Sequence, residues 1–211
     1  MDKKSQGIET MWYYKFLVKD RRGWSIVSYR GKVILCGDPK VGKTSLLARY
    51  VDGKFHEDYA QTIGANFLIK EIDLSKIVDK LDLEKPELKQ DIKEKGFKLY
   101  FWDIGGQQDK LFSNEYYFIQ AVGAMIVFNL NELSSFEGIN FWLSKLKELS
   151  GDVPYIIVGN KLDLERKIDQ SLIDEKVNEF GVEYFETSAK LNVNVDLAFE
   201  SLSIQILNNL K

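Results

Sequence analysis

The segment Gly37-Asp38-Pro39-Lys40-Val41-Gly42-Lys43-Thr44-Ser45 carries the spacing G-x-x-x-x-G-K-[ST] between an apolar run, Val33-Ile34-Leu35-Cys36, and the amphipathic stretch Lys43–Val51. Placed between a strand and a helix, that pattern binds phosphate. Glycines let the backbone close around an anion, and successive N–H groups and the helix N-terminus point at it. The backbone of Asp38, Pro39, Lys40, Val41 and Gly42 is predicted to form the cradle, with Ser45 completing the contacting set. Lys43 would reach the β- and γ-phosphates, and the Thr44 hydroxyl would ligate Mg2+. The competing reading is a glycine-rich turn that merely closes a strand-helix unit. The pattern alone specifies a nucleoside triphosphate and leaves the base open.

Base choice comes from Asn160-Lys161-Leu162-Asp163, which follows the apolar run Tyr155-Ile156-Ile157-Val158-Gly159. Ligands of open α/β sheets bind at such strand ends. The Asp163 carboxylate can accept from both the ring N–H and the exocyclic amine of guanine, a paired donor that adenine lacks, and unpaired buried polar groups discriminate strongly. Taken singly, this tetrapeptide is also a common solvated turn. Thr187-Ser188-Ala189-Lys190 ends the run Tyr184-Phe185-Glu186 and is placed to offer a backbone N–H to the guanine oxygen. Trp102-Asp103-Ile104-Gly105-Gly106-Gln107 ends another apolar run. Asp103 is positioned to hold Mg2+ through water, the Gly106 N–H to sense a γ-phosphate, and Gln107 to orient an attacking water. The alternative there is a polar turn.

These segments need strands that end together. From residue 32 onward, β-branched apolar runs alternate with helical patterns, which predicts parallel strands joined by crossover helices. Strands are expected at Lys32–Cys36, Asn66–Leu74, Phe97–Trp102, Ala124–Leu130, Pro154–Gly159 and Val182–Glu186. Helices are expected at Lys43–Val51, Ser135–Leu149, Ser171–Phe180 and Val195–Leu210, with Ser134 or Ser135 as a candidate N-cap. The fold class is α/β: a doubly wound, mainly parallel, six-stranded sheet with helices on both faces.

Composition bounds the function. A chain of 211 residues, 45% hydrophobic, supports one core. Lys and Arg number 29 against 32 Asp and Glu, a net charge of -3, so no basic field attracts nucleic acid. The single cysteine, Cys36, reads as a core residue of a protein in a reducing compartment. With no apolar leader or spanning stretch, the expected location is cytoplasmic.

Two segments stand outside the rhythm. Residues 1–31, with Trp12, Tyr13, Tyr14, Phe16, Trp24 and Tyr29, form an N-terminal extension ahead of the 32–211 domain. Ile8, Met11, Trp12, Lys15 and Lys19 fit an amphipathic membrane helix, whereas β-prone Trp12–Val18 fits an added strand or short helix packed on the domain. Residues 75–96, rich in Lys, Asp and Glu with Leu81, Leu83, Leu88 and Ile92, form an insertion: a partner-specific contact, or a solvated charged helix or extended hairpin.

The ordered set GDPKVGKT, QTIG, WDIGGQ, GNKLD and TSAK resembles the Ras superfamily of small GTPases across most of 32–210, and looks closest to its Rab branch. Tyr116-Tyr117, the run Gly123 to Phe128, Ser135-Phe136 and Trp142-Leu143 are also Rab-like. The resemblance implies a P-loop NTPase fold and a GTP-hydrolysing switch served by protein effectors, an exchange factor and an activator. It also implies that Thr62 coordinates Mg2+ and senses the γ-phosphate, and that Phe55 flanks the guanine ring. A nucleotide-gated binding module with negligible hydrolysis, or an ATPase, are the competing functions. Departures from the pattern are Gly105, which makes the Arf-like GGQ; Asn129 in place of a common aspartate; and Pro39, which removes one backbone donor from the cradle. The C-terminus Asn208-Asn209-Leu210-Lys211 lacks the prenylated cysteines usual in Rab proteins, and position 2 is not glycine, so no lipidation signal is read.

Overall fold

The computed structural model describes residues 14–20, 23–55, 69–76, 78–80, 86–107 and 115–209. Its chain order is β1 Tyr14–Asp20, β2 Gly23–Cys36, α1 Lys43–Asp52, β3 Ile69–Asp73, α2 Pro86–Lys95, β4 Phe97–Asp103 and β5 Ala121–Asn129. There follow α3 Leu133–Glu137, α4 Ile139–Ser150, β6 Tyr155–Asn160, α5 Gln170–Phe180, β7 Tyr184–Glu186 and α6 Val195–Asn208. The strands expected from the sequence form a sheet in the order β3-β4-β2-β5-β6-β7. Strand β2 is parallel to β4 and β5, and β5-β6-β7 continue in parallel, while β3 is antiparallel to β4. The count rises from six to seven because β1 pairs antiparallel with the long β2.

The pleat explains the two-sided core. Along β2, Val33 and Leu35 face one cluster while Ile34 and Cys36 face the other; along β5, Met125 and Val127 alternate with Ala124, Ile126 and Phe128. One face is covered by α1, α2 and α6 through Leu46, Leu47, Ile92, Phe199 and Leu202. The opposite face is covered by α3, α4 and α5 through Phe136, Trp142, Leu146 and Ile173. Strands β5 and β6 are buried on both faces, as near-continuous apolar runs in parallel sheets are.

The helix expected over Ser135–Leu149 is two helices broken at Gly138. Neither Ser134 nor Ser135 is its N-cap. Both lie inside α3, and the buried Ser135 hydroxyl accepts from the Asn129 N–H at 2.9 Å and donates to the Glu132 carbonyl at 2.8 Å.

The extension contributes a hairpin, with Tyr14 opposite Arg30 and Asp20 opposite Gly23, so β2 runs unbroken across position 31. Between β3 and β4, the charged stretch contains 3-10 turns at Leu74–Lys76 and Val78–Lys80 and then α2. Leu74, Val78 and Ile92 are fully buried in the first cluster, and Lys93 pairs with Asp79 at 2.6 Å on the surface. The segment is charged outside and anchored inside.

Candidate nucleotide-binding site

The carboxyl ends of β2, β4, β5 and β6 lie side by side, which gathers the predicted motifs along one edge of the sheet. The phosphate loop leaves β2 at Cys36 and enters α1 at Lys43. Gly42 is the helix N-cap, with φ 99°, and a Cβ there would stand 2.3 Å from Asn160 Nδ2, so the position demands glycine twice over. Lys40, also in this loop, holds a left-handed backbone at φ 64°, which is uncommon for a non-glycine residue.

The Lys43 side chain is buried and folds back over the loop, its Nζ donating to the carbonyls of Gly37 at 2.8 Å and Asp38 at 2.9 Å. Asp103, at the end of β4, is equally buried, and its carboxylate accepts from the Thr44 hydroxyl. Burial lowers the Lys43 pKa, opposed first by the Asp103 charge, and raises that of Asp103, opposed first by Lys43 and then by Thr44. Each charge sustains the other. Gly106 is pressed onto the loop, for a Cβ on it would meet Asp38 C and Pro39 N at 2.3 Å. Beside it, Gln107 Oε1 is buried with no hydrogen-bond partner among the described residues, although the residue as a whole is partly open.

The base-reading segment is tied to this loop by Asn160, whose Nδ2 donates to the Val41 carbonyl at 2.9 Å. Its Oδ1 accepts from Thr187 Oγ1 at 3.2 Å and from the Ala189 N–H at 3.3 Å. The Ser188 hydroxyl donates to Asp163 Oδ1 at 2.5 Å. Two chain-distant motifs therefore form one wall. Lys161 is half-buried with φ 66°, and burial lowers its pKa against the nearby carboxylates of Glu132 and Asp163. Asn129 accepts the Asn131 N–H on Oδ1 at 3.0 Å, closing the turn after β5.

The structure thus brings together Asp38, Pro39, Lys40, Val41, Gly42, Lys43, Thr44, Asp103, Gly106, Asn160, Lys161, Asp163, Ser188 and Ala189. Ser45 follows Thr44 in the first turn of α1. Phe55 packs half-buried against the first core cluster, and Lys190 is exposed. Thr62 lies outside the described residues. Arg49 was not singled out by the sequence. Its Nε donates to the Ala189 carbonyl at 2.8 Å and its guanidinium nitrogens to the Lys190 carbonyl at 3.2 Å and the Gly53 carbonyl at 2.6 Å. Only its place one helical turn inside α1 could have signalled this.

A family model described as the Ras family matches residues 32–208. The chain is 36% identical to Ras-related protein Rab-13 of Bos taurus over 179 residues, covering 83% of this chain and 79% of that protein. It is 37% identical to Ras-related protein Rab-2B of Dictyostelium discoideum over 183 residues, 85% of this chain and 82% of the relative. To Ras-related protein Rab-10 of Caenorhabditis elegans it is 37% identical over 179 residues, 83% and 80% of the two chains. The chain therefore belongs to the Ras family, as a Rab-like small GTPase that binds and hydrolyses GTP as a molecular switch.

Proposed function

We propose that the cleft between the phosphate loop and the Asn160–Asp163 segment holds GTP or GDP with Mg2+, and that Lys43, Thr44, Thr62, Asp103 and Gln107 carry the hydrolytic step. The observation that carries this reading is the buried Lys43–Asp103 pair, with Lys43 Nζ resting on loop carbonyls and Thr44 on the carboxylate. A buried cation held by neutral carbonyls is ready to exchange them for phosphate oxygens, which would also favour its charged form. Among the described residues no three His, Cys, Asp or Glu converge as metal ligands. Mg2+ bound with a nucleotide needs only one or two protein oxygens beside phosphates and water, and Thr44 and Asp103 supply that donor set. Bound there, the metal would neutralise charge on the β- and γ-phosphates. Thr62 is assigned to the same metal through the family motif.

Gln107 orients the attacking water, and its buried Oε1, without a hydrogen-bond partner among the described residues, supports that role. Asp163 accepts from guanine, Asn160 fixes the wall behind it, and Lys161 and the Ser188–Lys190 loop flank the base, with Phe55 on its other side. Gly106 follows the γ-phosphate, so its segment is released after hydrolysis. Exchange factors, activators and effectors are expected protein partners. Pro39 removes a loop donor, and the family resemblance implies that a bulky residue at this position hinders an inserted arginine finger, so intrinsic hydrolysis survives while such stimulation is restricted.

Nucleotide extracted from the purified protein, and single-turnover phosphate release by wild type and Gln107→Leu, test the assignment. Bound GDP or GTP is expected, with release slowed at least about tenfold in the variant. Adenine nucleotide in the extract, or equal background rates, would overturn it. Large stimulation by an arginine-finger activator that Pro39→Gly leaves unchanged would refute the restriction.

A further inference from the structure

The side chain of Asp38 reaches from the phosphate loop to α4. Its Oδ1 accepts from the indole Nε1 of Trp142 at 2.8 Å. Trp142 is among the largest fully buried side chains and packs edge-on against Phe141 at 5.3 Å within α4. The carboxylate also lies against the break between α3 and α4, since a Cβ on Gly138 would stand 2.8 Å from Asp38 Oδ2 and 2.9 Å from Oδ1. Gly138 is both the C-cap of α3 and the N-cap of α4 and has no side chain of its own there, so the carboxylate fills the space at the junction of the two helices. On its other side, the backbone of Asp38 is in contact with Gly106 and its carbonyl receives Lys43. One residue therefore joins the phosphate loop, the end of β4 and the head of α4.

We propose that Asp38 and Trp142 form a latch that positions the phosphate loop and sets the rate at which nucleotide leaves the cleft. The proposal rests on the nucleotide-binding reading above. An indole N–H to carboxylate bond is charge-assisted, and its loss leaves a buried donor or a displaced carboxylate unmatched. The loop on which Lys43 rests then loses this hydrogen bond to α4. Trp142 and Asp38 are positioning residues; neither is assigned a contact with the reacting atoms through its side chain.

The test is the release rate of a fluorescent GDP analogue from the full-length protein, with melting temperature recorded for every variant. Trp142→Phe and Asp38→Ala are each expected to accelerate release about tenfold, the size of one hydrogen bond to a charged group. The double variant should release no faster than the faster single one, because the two changes break the same bond. Asp38→Asn keeps an acceptor oxygen and should recover most of the loss seen in Asp38→Ala, which a purely structural role for Trp142 would not require. Gly138→Ala leaves both partners unsubstituted but puts a Cβ against the Asp38 carboxylate and displaces it, and should also accelerate release; it stands in for Trp142→Phe should that variant fold poorly. Fold-changes that multiply in the double variant, Asp38→Asn as fast as Asp38→Ala, or normal release from Gly138→Ala would overturn the latch. A wild type that holds no guanine nucleotide would overturn the functional reading and the latch with it.

Discussion

The side-chain amide of Asn160 donates to the Val41 carbonyl at 2.9 Å across 119 residues of chain, joining the base-reading segment to the phosphate loop in one rigid wall. Its oxygen simultaneously holds Thr187 and the Ala189 N–H. Asn160→Ala would leave the Val41 acceptor and the Thr187 and Ala189 donors unmatched in a buried site, at about 1–3 kcal/mol for each group left unsatisfied. GDP affinity, read by titration with a fluorescent analogue, is expected to fall at least about a hundredfold, from two such groups at about tenfold each. Asn160→Asp, which places a carboxylate against the Val41 carbonyl, should be no better.

Gly106 offers a second test because its neighbours are backbone. The 2.3 Å approach that a Cβ would make to Asp38 C and Pro39 N cannot be relieved by a rotamer change. Gly106→Ala must part the end of β4 from the loop. Single-turnover GTP hydrolysis is expected to drop at least about tenfold, the scale on which misplaced catalytic groups act. The loop that Gly106 presses on is proposed to cradle GDP as well, so GDP affinity should fall too, but less than the affinity for a GTP analogue. Equal losses for GDP and for a GTP analogue would show that Gly106 does not follow the γ-phosphate.

The motifs legible in the sequence were those whose chemistry is local. Gly37 to Thr44 and Asn160 to Asp163 state their roles through residue type and spacing, and parallel β2, β5 and β6 announce themselves as unbroken apolar runs. Other features depend on residues far apart in the chain. The Asp38–Trp142 bond spans 104 residues and Arg49 reaches Ala189 across 140, distances at which periodicity carries no signal. Gly138 separates α3 from α4, and the Asp38 carboxylate lies against it, so a Cβ there would stand 2.8 Å from Oδ2, a tertiary contact that the helical pattern does not show. β1 was open from sequence alone, since its aromatic residues suit a strand or an amphipathic helix until pairing with β2 decides. In the charged stretch after β3 the sequence singled out Ile92 but not Val78, and the burial of both tethers it to the core.

Cys36 gives a measurement of the core itself. It is fully buried at the end of β2, and burial pushes its thiol from 9.0 up to about 12, with the Lys43 charge only partly opposing. Below pH 9 the thiol is protonated in folded and unfolded chains alike and contributes nothing to pH dependence. Above it the unfolded chain ionises first, so stability falls as pH rises toward 12, by up to about 1.4 kcal/mol per pH unit. At pH 8 a chromogenic disulfide reagent should leave the native protein unmodified and titrate one thiol after denaturation, since the thiolate is the reactive form. Rapid stoichiometric reaction in native buffer would contradict the burial.

Arg49 separates charge from geometry. Its Nε and guanidinium nitrogens fan out to the carbonyls of Ala189, Lys190 and Gly53, so the end of α1 is strapped to the Ser188–Lys190 loop. A lysine supplies the charge from a single point and cannot reproduce that fork. Neutral carbonyls are the acceptors, so the contribution is directional hydrogen bonding, worth about 0.5–1.5 kcal/mol per bond or more for a charged donor. Arg49→Ala should therefore speed GDP release by about tenfold or more, and Arg49→Lys should restore only part of it. The distinguishing readout is base selectivity. A loosened Ser188–Lys190 loop should weaken GDP binding but leave the phosphate loop intact, so inorganic polyphosphate competition should be unaffected while the preference for GDP over inosine diphosphate, which lacks the exocyclic amine proposed above to donate to Asp163, narrows. Should Arg49→Lys match wild type in both release and selectivity, the fork geometry would be irrelevant and charge alone would account for the strap.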